Sequence, residues 1–112
     1  MRKLICIALA VISVSAFANG PILGAGATTC GKWVEGRKAG TYHLQLNWVL
    51  GFISSYNHYV DAYLGKGKNG VFGTADHNSV AVWMDNYCQK NPLESVYSGS
   101  VGLTEELKSR AR

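Results

Sequence analysis

Two cysteines set the strongest limit on what this chain can fold into. Of the three in the sequence, Cys6 lies inside an amino-terminal segment of the kind that is removed, which leaves Cys30 and Cys88 and a single pairing. That segment is residues 1–18. It starts with Arg2 and Lys3, runs apolar from Leu4 to Val14, and ends Ser-Ala-Phe-Ala at Ala18. A charged start, a short apolar run and small residues at Ala16 and Ala18 make a secretory signal peptide cleaved after Ala18. The run is shorter than the ~20 residues of a bilayer span. The expected destination is the periplasm, free of the membrane once the signal is cut. An oxidising compartment and a small core make a Cys30–Cys88 disulfide both permitted and useful. Closing so long a loop is worth about 4 kcal/mol in the chain-entropy account. Neither cysteine sits in a zinc-binding spacing, so a metal is not expected at the pair.

The rest of the chain reads as one domain, residues 30–112, behind a glycine-rich leader at 19–29. Hydrophobic residues make up 47% and charged residues 16%, a balance that excludes disorder of the whole chain. Eleven basic residues, less Arg2 and Lys3, leave nine against seven acids. That excess is too small and too scattered for a nucleic-acid partner.

Three helices are expected. Residues 41–64 contain no proline, and Leu46, Val49, Ile53, Tyr56 and Val60 recur at three- and four-residue steps, with Trp48 and Phe52 widening the stripe. Gly51, costly inside a helix, suggests a neighbouring backbone or ring close by. The stretch from Gly65 to Gly70 ends this helix. A second helix runs from about Thr74 to Lys90, capped by Thr74 or Asp76, with Val80, Trp83, Met84, Tyr87 and Cys88 on its inner stripe. A third is expected to start at Asn91-Pro92-Leu93-Glu94, with Asn91 as cap, Pro92 in the first turn and Glu94 reaching back. Its inner face is Leu93, Val96, Tyr97, Val101, Thr104 and Leu107 or Lys108, weakened by Gly99 and Gly102. Between Cys30 and Gly40, a short strand and a single helical turn are equally compatible with the residues, with Trp33 as an apolar plug. The fold class is therefore all-α, a small three- to four-helix domain stapled by one disulfide.

Chemistry is sparse. Asn57, His58 and Asp61 form the one suggestive polar cluster, because His58 and Asp61 share a helical face and a carboxylate-oriented imidazole can act as a base. No activated nucleophile accompanies it, and Ser54 and Ser55 lack the strained elbow of a serine hydrolase. His43, His58, Asp61, Asp76 and His77 are ligand types without a recognised metal spacing. Trp33, Trp48 and Trp83 read as core residues before they read as a sugar platform. No catalytic residue, metal or cofactor is expected.

The segments Trp48-Val-Leu-Gly-Phe-Ile-Ser-Ser-Tyr-Asn57 and Trp83-Met-Asp-Asn-Tyr-Cys-Gln-Lys-Asn-Pro92, with Cys30 upstream, resemble small bacterial periplasmic proteins of the HdeA-like kind and the type VI secretion amidase immunity family. The resemblance spans roughly residues 30–108. It implies an all-α, disulfide-stapled periplasmic protein that binds another protein and is not an enzyme. The leading expectation is a protein-binding module, an immunity-like factor against a secreted cell-wall amidase. The alternatives are an HdeA-type acid-stress chaperone, which the seven acids support weakly, and a small hydrolase or metal protein using His58 and Asp61.

Overall fold

The computed structural model describes residues 20–61 and 75–110, with the side chains of Val60 and Asp61 left aside. The signal segment, the Gly65–Gly70 stretch and Thr74 lie outside the described residues. Within them, four α-helices follow one another: α1 Cys30–Ala39, α2 His43–Tyr56, α3 His77–Lys90 and α4 Val96–Arg110. No strand occurs among the described residues. The fold is all-α and carries the expected Cys30–Cys88 disulfide, which joins the first residue of α1 to the last turn of α3.

Residues 30–40 form neither a strand nor a single turn but the ten-residue helix α1. Its ends are well defined locally: the Thr29 side chain accepts from the Lys32 amide, and Gly40 closes the helix at φ +73°, a conformation glycine adopts without a Cβ clash. Its sequence has no regular apolar stripe. Tertiary contact supplies what periodicity does not, because Cys30 and Trp33 are fully buried against α3.

The glycine-rich leader is seated on the domain. Gly24–Ala27 make a 3₁₀ turn with Ala25 and Gly26 buried, and the Trp48 indole donates to the Leu23 carbonyl at 2.9 Å. A side chain at Gly26 would overlap the Trp48 ring, so this turn can approach so closely only with glycine there. Behind it a lone antiparallel bridge joins Thr29 to Ser95: the Cys30 amide donates to the Glu94 carbonyl at 2.8 Å, and the Val96 amide to the Thr28 carbonyl at 2.9 Å.

The expected helix over residues 41–64 is described as far as Asp61, and its last three positions lie outside the described residues. Helix α2 ends at Tyr56 and widens into a π turn over Asn57–Asp61. Leu46, Val49 and Ile53 are buried as expected. The expected neighbour at Gly51 is absent: nothing in the described chain lies within 4 Å of where its Cβ would be.

Helix α3 starts at a reciprocal capping box. The Asp76 carboxylate accepts from the Ser79 amide at 2.8 Å, and the Asp76 amide donates to Ser79 Oγ at 2.9 Å. Val80, Met84 and Cys88 are buried, and Trp83 and Tyr87 flank them.

The expected start of the last helix is overturned. Asn91 does not open it but closes α3, its side-chain amide donating to the Tyr87 carbonyl at 2.9 Å. Pro92 and Leu93 form a turn, and Leu93, expected inside, is 96% exposed. The amide of Ser98 bonds Ser95 Oγ, so a serine fills the capping role expected of Asn91, and α4 begins at Val96. Proline suits a first helical turn and a loop equally, and here the Thr29–Ser95 bridge fixes the start four residues later.

The core is continuous: Cys30, Trp33, Leu46, Val49, Ile53, Val80, Ala81, Met84, Cys88, Val96 and Leu103. Two buried polar residues bond within α4, Ser100 Oγ to the Val96 carbonyl and Thr104 Oγ1 to the Ser100 carbonyl, both at 2.9 Å, so neither hydroxyl is left unpaired.

Candidate docking face

Helix α4 packs against both α2 and α3, and its small residues decide how closely. On the α3 side, Gly99 lies against the Met84 thioether and the Tyr87 ring, and Gly102 against the Trp83 and Tyr87 rings. The glycines that weaken α4 as an isolated helix thus let two aromatic rings of α3 lie along it. Trp83 and Tyr87 stack on each other, their centroids 5.5 Å apart and their planes within 13° of parallel.

On the other flank Tyr97 meets α2. Its ring stands edge-on to Trp48 at 6.5 Å and to Phe52 at 5.8 Å, while Trp48 and Phe52 stack at 5.6 Å. All five rings are half-buried, and Trp48, Trp83 and Tyr87 pack directly against the core. Between the two aromatic groups runs the outer ridge of α4, where Ser98 and Gly102 are half-exposed and Val101 is 37% exposed. Val101, expected on the inner face, points away because α4 turns Gly99, Ser100, Leu103 and Thr104 inward instead.

The result is a low ridge of small side chains with an aromatic flank on each side. Rigid aromatic rings with one wetted edge contribute large contact area at low entropic cost, and Tyr and Trp are enriched at protein interfaces for that reason. Burial, followed by the charge of Glu94, pushes the Tyr87 phenol above its ordinary value.

The polar cluster of Asn57, His58 and Asp61 is described only in part. Asn57 and His58 lie in the π turn after α2, and the exposed His58 imidazole rests edge-on to Tyr59 at 4.8 Å. The backbone of Asp61 lies in the same turn, but its side chain is outside the described ones. Ser54 Oγ donates to the Leu50 carbonyl and is directed along its own helix. His43 lies against the Tyr42 ring, and Asp76 is engaged in capping. No group of three metal-ligating side chains occurs among the described residues. Of the three tryptophans, Trp33 is a core residue, whereas Trp48 and Trp83 stand on opposite flanks of α4 and form no common platform.

Residue spacing does not reveal the pairing of Tyr97 with Trp48 and Phe52, which depends on how α2 and α4 pack. The visible signal is the small-residue spacing Ser98, Gly99, Ser100, Gly102 in a helix otherwise flanked by aromatics. Compared with known protein families, with curated proteins and with solved structures, the chain matches none.

Proposed function

We propose that this chain is an exported, non-enzymatic protein-binding module whose partner seats on the α4 ridge. The observation that carries this reading is the placement of five half-exposed aromatic rings, Trp48, Phe52 and Tyr97 on one side and Trp83 and Tyr87 on the other, along a ridge of small residues. The disulfide supports the exported part, since such bonds persist in oxidising compartments. The non-enzymatic part rests on the resemblance of the Trp48–Asn57 and Trp83–Pro92 segments. Within this class the immunity-like role rests on the same resemblance, with a secreted cell-wall amidase as the partner.

The test is co-purification from the native periplasm with the chain carrying a photo-crosslinking residue at Val101. A specific protein adduct is expected, lost in Tyr97→Ala and in Trp83→Ala, with fold retained by circular dichroism. If no adduct forms, or if it survives both changes, the α4 ridge is not the docking face. Protection of the host from a co-expressed amidase tests the immunity role separately.

A further inference from the structure

The leader that precedes α1 is fastened very differently at its two ends. At its carboxyl end the Thr28 carbonyl accepts from the Val96 amide at 2.9 Å, the Cys30 amide donates to the Glu94 carbonyl at 2.8 Å, and Cys30 is bonded to Cys88. Upstream, among the described residues, a single hydrogen bond ties residues 20–27 to the helices. It runs from the Trp48 indole to the Leu23 carbonyl at 2.9 Å and is exposed to water. The other bonds of the turn are internal, since the Thr28 amide and hydroxyl both donate to the Ala25 carbonyl.

Side chains add little to this hold. Five of the eight residues from Gly20 to Ala27 are glycine or alanine, and the Leu23 side chain, which could pin the turn, is 76% exposed. Glycine loses more freedom on ordering than any other residue, so a seat made of Gly24, Ala25 and Gly26 sets a small apolar burial against a large entropic cost. Segments held in this way open on their own, well below the free energy that unfolds the domain. The surface beneath is part of the aromatic flank of α4. Gly26 lies against the Trp48 ring and the Leu23 carbonyl occupies its N–H, while the same ring stacks on Phe52 and meets Tyr97 edge-on. A larger apolar side chain and one carbonyl from another protein would make more of that indole than the leader does.

We propose that residues 20–27 form a displaceable strap, which swings on the Thr28–Cys30 anchor, uncovers the Trp48 indole and so gates the partner's access to the flank of Trp48, Phe52 and Tyr97. The gating rests on the reading that the partner seats along α4, whereas the opening of the strap does not. In the closed form the leader acts as a weak internal occupant of the docking face, and the partner replaces it.

Hydrogen exchange of the oxidised mature chain, followed by NMR in sub-denaturing urea, tests the opening. The Trp48 indole and Thr28 amide hydrogens are expected to be at least about a hundredfold less protected than the Cys30 and Val96 amides, and without their urea dependence. Equal protection and equal urea slopes at all four would make the leader part of the cooperative core and overturn the proposal. Gly26→Val tests the gating, because its side chain and the Trp48 ring cannot share one space. With the disulfide formed and helicity retained, it is expected to raise the yield of the Val101 crosslink at least threefold, with Gly20→Ala, where a Cβ meets nothing, as the control that crosslinks like the wild type. An adduct from the wild type that is unchanged or reduced in a folded Gly26→Val overturns the gating. No adduct from any of the three chains overturns the ridge reading instead, and the strap then stands or falls by the exchange data, which also decide if Gly26→Val does not fold.

Discussion

The Trp33 indole nitrogen donates to Asp85 Oδ1 at 2.8 Å, so the largest fully buried side chain of α1 ends on a carboxylate of α3. The same carboxylate is gripped by Arg37, one turn further along α1, through Nε at 2.9 Å and Nη2 at 2.9 Å. Asp85 also holds the guanidinium more firmly protonated than usual, and that group lies over the Tyr42 ring, 4.4 Å from its centroid. Tyr42 in turn stands edge-on to Trp33 at 6.0 Å. Two donors, one acceptor and two rings thus close a loop of contacts that orients α1 on α3.

Removing the shared acceptor should cost more than removing either donor. Asp85→Ala leaves the indole N–H and a part-buried guanidinium unpaired, and a loss of about 2 kcal/mol is expected, measured by urea denaturation. Arg37→Ala should cost less, because Trp33 keeps its partner and Asp85 retains access to water. Equal losses would contradict the shared-acceptor geometry.

Loss of the staple should be felt across the domain. Cys88→Ser is expected to lower stability by about 4 kcal/mol under oxidising conditions and to bring the melting temperature close to that of the reduced wild type. A melting curve unchanged from the oxidised wild type would mean that the bond contributes nothing.

Two glycines should respond with opposite signs. Gly26→Ala sets a methyl group into the space of the Trp48 ring and should destabilise by about 1–3 kcal/mol. Gly51→Ala meets nothing within the described chain, and in dilute solution should raise stability by about 1 kcal/mol. Thermal melts of the two variants beside the wild type check both.

Alkali should weaken the α3–α4 contact through Tyr87. Because burial raises its folded pKa above the ordinary value of 10.0, the native state holds the phenolic proton more tightly than the unfolded chain does. That stabilisation is present below about pH 10 and is lost as pH rises through the folded value. Tyr87→Phe keeps the stack on Trp83 and removes this component. Urea midpoints between about pH 8 and pH 11 should therefore fall less steeply in Tyr87→Phe than in the wild type.

What the sequence makes legible follows from how local each cause is. Asp76 is recognisable as a cap because its acceptor and the amide it satisfies are three residues apart, and Val80, Met84 and Cys88 because one helix face aligns them. The pairing of Cys30 with Cys88 follows from count and compartment. Helix α1 is hidden because its stability comes from Asp85 and Cys88, about fifty residues away, and not from its own pattern. The start of α4 is misleading because Asn91-Pro92 satisfies the local rules for a helix opening, while the bridge from Thr29 to Ser95 places the start at Val96. The aromatic arrangement along α4 is hidden for the same reason: Tyr97 and Phe52 lie 45 positions apart and meet only through the packing of α2 on α4.

Thr29 and Ser95 cap different helices, yet they face each other across the lone bridge, and Cys30 next to it is bonded to α3. A chain that is synthesised or threaded with its amino end leading therefore holds α1 without its seat until α3 and the turn behind it have arrived. The seat of the first helix in the sequence is thus built from residues near the other end of the chain, and the sulfur–sulfur bond ties the two together.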